Sequence, residues 1–213
     1  MSILTFKGGI HPKDGKALSK AKAIKTLTPK GEIVIPLSQH IGAPASPCVE
    51  VGDRVLVGQK IGEAAGFISA NVHSSVSGTV KKIEPRQVAN GTMVNCVIIE
   101  NDESYEEAIL EHKAYDEMSK EDIRAAIKEA GIVGMGGAGF PTNVKLTPKD
   151  DDKIQYVIVN GAECEPYLTS DYRRMFEEPV VLIEGLKIVL SLFKNSKGII
   201  AIEFNKLDAI VNL

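Results

Sequence analysis

The sequence predicts an α+β chain with more than one domain, in which a β-rich part is followed by an α/β part. Up to residue 101, short runs rich in Val, Ile and Thr alternate with Gly, Pro, Asn and Asp, a pattern typical of short strands and turns. From residue 119, helical periodicity alternates with apolar runs, which is typical of α/β units. We therefore divide the chain into residues 1–101, an acidic and polar linker at 102–118, and residues 119–213.

The composition is that of an ordinary globular protein and excludes two classes of function. The chain has 213 residues, 44% of them hydrophobic and 25% charged. A net charge of -3, with 5% aromatic residues and no tryptophan, offers nucleic acid neither a basic surface nor a stacking platform. The most apolar long run, Val180–Phe193, contains Glu184 and Lys187 and is not expected to span a membrane. The cysteines lack metal-binding spacing, so no metal site is predicted; they are Cys48, Cys96 and Cys164.

The N-terminal part is predicted to form short strands and a tight hairpin. The strands are expected at Glu32–Ile35, Phe67–Ile68, Thr79–Ile83 and Met93–Glu100. Between the last two of these, Asn90-Gly91 predicts a tight turn. Residues 51–61 predict a turn, a strand, a second turn and a second strand. Short strands at this spacing favour a compact sandwich or barrel.

Three short motifs give this part a resemblance. Val51-Gly52-Asp53, Gly58-Gln59 and Ser77-Gly78-Thr79-Val80 resemble the barrel-sandwich hybrid of biotinyl and lipoyl carrier domains. Carrier domains bear a modified lysine on an exposed hairpin tip. The corresponding stretch here, residues 69–75, is SANVHSS and has no lysine. We therefore expect a scaffold that uses the carrier fold, with a lipoyl or biotinyl carrier as the alternative.

The C-terminal part is predicted to alternate helices with buried strands. Ser119 and Asp122 have the spacing of a capping box at the start of a helix, and Gly131 lies where that helix should end. The other elements are two buried strands and a helix, expected at Ile154–Val159, Gly198–Phe204 and from Pro179 onwards. The chain ends soon afterwards at Leu213, so we expect the α/β domain to be incomplete.

The most informative motif is the glycine-rich stretch at residues 131–142, GIVGMGGAGFPT. Such a stretch lets bare amides approach a phosphate or a flat ring. Gly134, Gly136 and Gly139 satisfy G-x-G-x-x-G, but a helix precedes them, which excludes the Rossmann fingerprint, and no Gly-Lys-Ser/Thr follows for a Walker loop. A flexible surface turn is the alternative. Interleaved apolar residues favour a loop packed around a ligand; these are Ile132, Val133, Met135 and Phe140.

A second candidate segment, Asn160–Tyr167 (NGAECEPY), follows a predicted strand directly. Ligands of open α/β sheets bind beyond the carboxyl ends of strands. Asn160 offers both donors and an acceptor, while Glu163 and Glu165 offer acceptors, the mixture that the edge of a flavin ring needs. The alternative is that both carboxylates are simply solvated. Cys164 is expected to be a small packed residue, and no catalytic residue is predicted.

Together, the two segments resemble the flavin- and NADH-binding flavoprotein subunit of respiratory complex I. A closer resemblance is to the RnfC family of Rnf electron-transport complexes, through FKGGIHP at residues 6–12, IPLSQHIGAP at 35–44 and the Asn160–Tyr167 segment. Two positions depart from the complex I pattern. Met135 stands where that family has arginine, and Ala162 stands where it has aspartate.

The resemblance implies a peripheral, NADH-dehydrogenase-like subunit on the cytoplasmic face of a membrane. It implies FMN and NAD(H) as cofactors, in a complex that couples electron transfer between ferredoxin and NAD to ion translocation. The partners would be the other Rnf subunits and, through them, ferredoxin. The family's two 4Fe-4S clusters belong to a later region, and their Cys-rich runs do not occur in this sequence. The alternative is a non-catalytic docking subunit without flavin.

The resemblance also implies roles for single residues. The FMN phosphate and ribityl chain would be lined by Gly134, Gly136, Gly137, Gly139 and Lys145. Asn160 and Glu163 would lie near the isoalloxazine, and Glu165 would contact the nicotinamide nucleotide. Structural or surface roles are expected for the histidines of the β-rich part, His11, His40 and His73.

Overall fold

The computed structural model describes residue 10 and residues 12–109 and 113–213, so His11 and most of the FKGGIHP motif lie outside the described residues. The chain divides into two compact units, and each is described by itself. The β unit is Leu27–Asp151. The α/β unit combines Asp152–Leu213 with the described residues up to Thr26. The predicted domain boundaries at residues 101 and 118 stay a prediction.

The β unit contains two antiparallel sheets. Its strands are β1 (Glu32–Pro36), β2 (Ser46–Pro47), β3 (Arg54–Val55), β4 (Lys60–Glu63), β5 (Val72–His73), β6 (Gly78–Gln87) and β7 (Met93–Asn101). One sheet has the order β1-β7-β6-β3 and the other has the order β2-β4-β5. Alternate apolar side chains from both sheets form one core, which includes Ile35, Val55, Ile61, Val72, Val80, Val97 and Ile99.

The strand predictions for this unit are confirmed, with one exception. β6 and β7 pair up to Gln87↔Met93, and Gly91 adopts a φ of 84° in the connecting turn, as Asn90-Gly91 predicts. The predicted strand at Phe67–Ile68 is wrong, because these residues form a bend. The Phe67 side chain is exposed, and the carbonyl of Ile68 accepts from Ala43 N–H at 3.0 Å instead of from a strand ladder.

Two helices of the β unit flank the glycine-rich stretch: α1 (Lys120–Glu129) and α2 (Thr142–Lys145). The predicted capping box is confirmed, since Ser119 Oγ accepts from Asp122 N–H at 3.1 Å and the Asp122 carboxylate accepts from Ser119 N–H at 3.3 Å. Gly131 follows α1 with a φ of 64°, the left-handed conformation in which many helices end.

The α/β unit contains one parallel pair of strands, β8 (Tyr156–Gly161) and β9 (Lys197–Ile202), with α3 (Ser170–Glu177) and α4 (Pro179–Ser191) between them. A last helix, α5, spans Leu207–Asn212. Pro179 opens α4 as predicted. A small core is formed by Tyr172, Met175 and Ala209.

The prediction that both strands of this unit are buried is wrong for the described residues. Ile158 in β8 is 62% exposed, and Ile199 in β9 is 41% exposed. The physical reason is that the side chains of two paired strands alternate between the two faces of the sheet. The described residues do not pack against both of these faces. The predicted bounds also shift, because Phe204 lies in a short 3-10 helix after β9. Within the part of the chain that the structure describes, every helix is too short or too polar to cross a membrane.

Candidate functional site

The glycine-rich stretch folds into a small hairpin within the β unit. Val133 and Pro141 form an antiparallel bridge, and Gly134 N–H donates to Phe140 O at 2.8 Å. The turn at the tip is closed by Gly139 N–H, which donates to Gly136 O at 3.0 Å. We call residues 133–141 the glycine hairpin. It leads directly into α2, which carries Lys145.

Two glycines of the stretch are required by the packing of the chain itself. Gly131 has a left-handed φ of 64°, and a Cβ there would collide with the carbonyl oxygen of Asn71. Gly139 has a φ of 55°, and its Cβ would lie 2.9 Å from Gln39 O. Both positions therefore admit glycine for structural reasons, and neither needs a ligand to explain it.

Gly136 and Gly137 differ from these. Neither has a φ in the left-handed region, and among the described residues no heavy atom lies within 4 Å of the place where a Cβ would stand. Both residues are exposed at the tip of the hairpin. Glycine costs backbone entropy, so two such residues without a steric reason indicate that something outside the chain approaches this backbone closely.

Lys145 lies beside the same backbone. Its Nζ is 3.8 Å from the Cβ position of Gly134, and the side chain is exposed. The Lys145 side chain makes no hydrogen bond or ion pair with any residue that the structure describes, and its backbone N–H donates to Pro141 O at 3.2 Å. An ammonium group next to bare amides is a suitable partner for a phosphate. Met135, at the tip of the same hairpin, is 87% exposed, and the expected packing of this loop around a ligand stays a prediction.

The residues just before the glycine hairpin contact residues 69–75, the stretch that corresponds to a carrier tip. Ser69, Asn71 and Ser74 in this stretch are buried, so it does not form an exposed arm. Asn71 Nδ2 donates to the carbonyl oxygen and to the carboxylate of Glu129, both at 3.2 Å. The Lys60 ammonium, 2.8 Å from Glu129, lowers the pKa of that carboxyl. Side-chain contacts from Lys60 in β4 and from Asn71 thereby hold the end of α1 within the β unit.

In the α/β unit, the segment Asn160–Tyr167 begins with the last two residues of β8, because this strand extends to Gly161 and not only to the predicted Val159. Asn160 is exposed, and its Oδ1 accepts from Ala162 N–H at 3.1 Å. Glu165 is exposed. Cys164 is exposed as well, so the expectation of a packed cysteine is wrong.

Glu163 has a different environment, because its side chain is 2% exposed. One carboxylate oxygen accepts from Asp171 N–H at 2.7 Å, at the start of α3. The other oxygen lies 3.7 Å from Lys16 Nζ and 4.0 Å from Lys206 Nζ. Lys16 also donates to the carbonyl oxygens of Glu163 and Leu168, at 2.5 and 2.7 Å. The Glu163 carboxylate thus holds its own loop together.

The predicted site residues therefore fall into two groups. The structure brings Gly134, Gly136, Gly137, Gly139 and Lys145 together in the β unit. The other group lies on one loop of the α/β unit and comprises Asn160, Glu163 and Glu165.

Two family models match this chain. Residues 4–104 match the RnfC barrel sandwich hybrid domain, and residues 127–213 match the Nuo51 FMN-binding domain. Among curated relatives, the chain is 44% identical to the RnfC protein of the Na(+)-translocating ferredoxin:NAD(+) oxidoreductase complex of Acetobacterium woodii, with 97% of the chain and 47% of the relative covered. It is 41% identical to the RnfC protein of the proton-translocating ferredoxin:NAD(+) oxidoreductase complex of Clostridium ljungdahlii, with 98% and 46% covered.

Over nearly its whole length, the chain is similar to the N-terminal part of RnfC proteins. The corresponding protein of the ion-translocating oxidoreductase complex of Citrobacter koseri is 38% identical, with 98% of the chain and 30% of that relative covered. The chain thus spans about half the length of the first two relatives and less than a third of the last. The predicted order of a barrel-sandwich hybrid followed by a flavin-binding domain is confirmed at this level.

The match to the FMN-binding domain includes both groups of predicted site residues, since residues 127–213 contain the glycine hairpin, Lys145 and the Asn160–Tyr167 segment. Sequence reasoning missed the residues that support these two places. Lys16 and Lys206, which surround Glu163, are distant from it along the chain. The Asn71 contact to Glu129 also joins distant residues, and no local spacing rule would have found either set.

Proposed function

We propose that this protein is a member of the RnfC family that binds FMN on the glycine hairpin and provides the NAD(H)-facing part of an ion-translocating ferredoxin:NAD oxidoreductase complex. The observation that carries the proposal is the pair of open glycines, Gly136 and Gly137, beside the exposed ammonium of Lys145. The names of the relatives and the match to an FMN-binding domain support the same ligand and the same reaction.

The residues present fit an FMN phosphate. A side chain at Gly136 or Gly137 would occupy the space in front of the hairpin backbone, and glycine keeps that space open. The amides of the hairpin tip would donate hydrogen bonds to phosphate oxygens, and Lys145 would balance their charge. Gly134 and Gly139 would set the conformation of the hairpin on either side of these amides.

The Asn160–Tyr167 segment would supply the contacts to the ring and to the nucleotide substrate. We propose Asn160 and Glu163 for the isoalloxazine side and Glu165 for the nicotinamide nucleotide. Because the carboxylate of Glu163 is engaged by Lys16 and Asp171 N–H, its contribution would be to hold the segment in shape. FMN, when bound, supplies the step between two-electron chemistry at NAD(H) and one-electron transfer to the rest of the complex.

We further propose that the β unit keeps the form of a lipoyl or biotinyl domain as a scaffold and that the protein is peripheral on the cytoplasmic face of the membrane. Its partners would be the other subunits of the complex, with ferredoxin reached through them. Iron–sulfur clusters have no part in the chemistry that we assign to these residues.

The test is isothermal titration of FMN into the purified chain, with a Gly136→Val/Gly137→Val variant beside it. Because neither position has a steric neighbour, the variant should fold normally and lose at least about tenfold in affinity, which corresponds to about 1.4 kcal/mol. Gly185→Ala is the matched control, since Gly185 in α4 also has no heavy atom of the described residues near its Cβ position. Absence of binding at high micromolar FMN would favour the docking subunit without flavin.

A further inference from the structure

The glycine hairpin rests on a segment of the β unit that contains no predicted site residue. This seat, Gln39–Ile41, contacts the hairpin at two points. Ile41 N–H donates to Ala138 O at 2.9 Å. The carbonyl oxygen of Gln39 lies 2.9 Å from the Cβ position of Gly139, so the two backbones are in direct contact. The position of the hairpin tip therefore depends on the position of the seat.

The side chain of His40 connects the seat to another part of the β unit. Its Nε2 lies 3.2 Å from Ala70 N and 3.1 Å from Ala70 O, and its Nδ1 lies 3.2 Å from Ile41 O. A neutral imidazole has one donor and one acceptor. The tautomer with the proton on Nδ1 uses both nitrogens at once, because Nε2 then accepts from Ala70 N–H and Nδ1 donates to Ile41 O. One ring thus connects the seat to residue 70.

The residue that His40 contacts, Ala70, lies in a buried part of the β unit. Ser69, Ala70 and Asn71 are buried, and Ser69 Oγ donates to Ala43 O at 2.8 Å. These residues belong to the stretch that corresponds to a carrier tip, residues 69–75. In this chain the stretch also contacts the start of the glycine-rich region, because Asn71 O abuts Gly131. A single buried stretch therefore supports the glycine-rich region directly at its start and, through His40, at its tip.

We infer that His40 is a positioning residue for the FMN-binding hairpin, because it fixes the seat on the buried stretch at residues 69–71. The inference rests on the proposed function. His40 touches neither Gly136 nor Gly137, and its effect on FMN passes through the contacts of Ile41 and Gly139. In carrier domains the stretch that corresponds to residues 69–75 carries the modified lysine. Here it would instead support the glycine hairpin that binds FMN.

Two measurements on the purified chain test this inference. The first is the FMN dissociation constant of His40→Ala, His40→Gln and the parent chain. The second is amide hydrogen exchange at Ile41, which reports its bond to Ala138, with the buried β7 residue Ile98 as the internal reference. The matched control is Gln87→Ala, which removes a side-chain hydrogen bond to the backbone of a different turn, from Gln87 Nε2 to Gly91 O.

We expect His40→Ala to weaken FMN binding about tenfold and to accelerate exchange at Ile41 but not at Ile98. The His40→Gln variant retains an acceptor and a donor and should recover part of the affinity, whereas Gln87→Ala should bind like the parent. Unchanged FMN affinity and unchanged Ile41 exchange in His40→Ala would overturn the inference while the proposed function stands. A parent chain that takes up no FMN would overturn the proposed function, and unaltered Ile41 exchange in His40→Ala would then overturn the inference separately.

Discussion

The glycine hairpin and the Asn160–Tyr167 segment are held in place by opposite means. The hairpin is held by its backbone: Ile41 bonds to Ala138, and Gly139 lies against Gln39, while the tip stays open. The segment after β8 is held by buried charge, with Glu163 between Lys16 and Lys206. A loop fixed through its backbone keeps its amides available to a ligand. In a loop that is held by a buried carboxylate, that carboxylate already has its partners within the protein and is not available to a ligand.

This difference predicts where substitutions will affect folding and where they will affect binding. Around Glu163, removing a charge should cost stability, because its partners stay buried. At the tip of the glycine hairpin, replacing Gly136 or Gly137 with a residue that has a side chain should leave the free energy of unfolding unchanged and reduce the affinity for FMN. Gly139 lies in the hairpin but should behave like a folding position, since the chain itself occupies the space next to it.

The largest effect is expected for Lys16→Met. This change leaves the buried Glu163 carboxylate with one lysine fewer and leaves two carbonyl oxygens without their donor. We expect a loss of about 3 kcal/mol in the free energy of unfolding, measured by urea denaturation. Lys187→Met, which removes an exposed ion pair with Glu184, is the matched control and should change stability by less than about 1 kcal/mol. Equal effects of the two changes would contradict the role given to Lys16.

Gly139→Ala should have the next largest effect. Its left-handed φ and the approach to Gln39 O predict a loss of about 1–2 kcal/mol in the free energy of unfolding. Gly136→Ala, at the other end of the same turn, should stay within about 0.5 kcal/mol of the parent. Thermal and urea unfolding of the two variants side by side measure the difference. Equal stability of the two variants would show that the hairpin does not rest on Gln39–Ile41.

Lys145→Gln should leave the free energy of unfolding unchanged, because the exposed Lys145 side chain has no hydrogen-bond or ion-pair partner among the described residues. It should weaken FMN binding about tenfold, or about 1.4 kcal/mol, through the loss of one charged contact to phosphate. Titration at two salt concentrations sharpens the test, since the parent should lose more affinity than the variant when salt screens the ammonium. Riboflavin, which lacks the phosphate, should bind the parent and the variant equally.

The smallest effect concerns Glu129 at the base of the hairpin. The Lys60 ammonium lowers its pKa in the folded state, so the pair contributes stability above the unfolded pKa of about 4.3 and loses it as the pH falls through the folded pKa. The Glu129 side chain is 67% exposed, so screening limits the contribution to less than about 1 kcal/mol. Urea unfolding of Glu129→Gln between pH 7 and about pH 3 should show a flatter acid limb than the parent. A steeper limb would contradict this assignment.

Local features of the sequence predicted the parts that depend on local rules. Ser119, Asp122 and Gly131 set the bounds of α1 because capping depends on residues within one turn. The hairpin at Asn90-Gly91 follows from the conformation that glycine allows. The strand expected at Phe67–Ile68 was wrong because two apolar residues cannot show whether a partner strand lies beside them.

The candidate site was predictable to the same extent. The glycine-rich motif and the segment after β8 could be found from local sequence, but their supports could not. Lys16 and Glu163 are 147 positions apart, and His40 and Ala70 are 30 positions apart. No spacing rule joins such pairs, because folding alone brings them together. The sequence also could not separate the glycines that the fold needs from those, Gly136 and Gly137, that it does not.

The most direct test of the central claim is an amide NMR titration of FMN into the ¹⁵N-labelled chain. The account predicts that the amides of Gly136 and Gly137 shift most and saturate together, and that no such shifts occur at these positions in Gly136→Val/Gly137→Val. The amide of Gly185 in α4 should not move and serves as the internal reference. FMN binding that leaves the amides of Gly136 and Gly137 unshifted, or shifts that persist in the double variant, would contradict the claim that these two glycines are kept for the ligand.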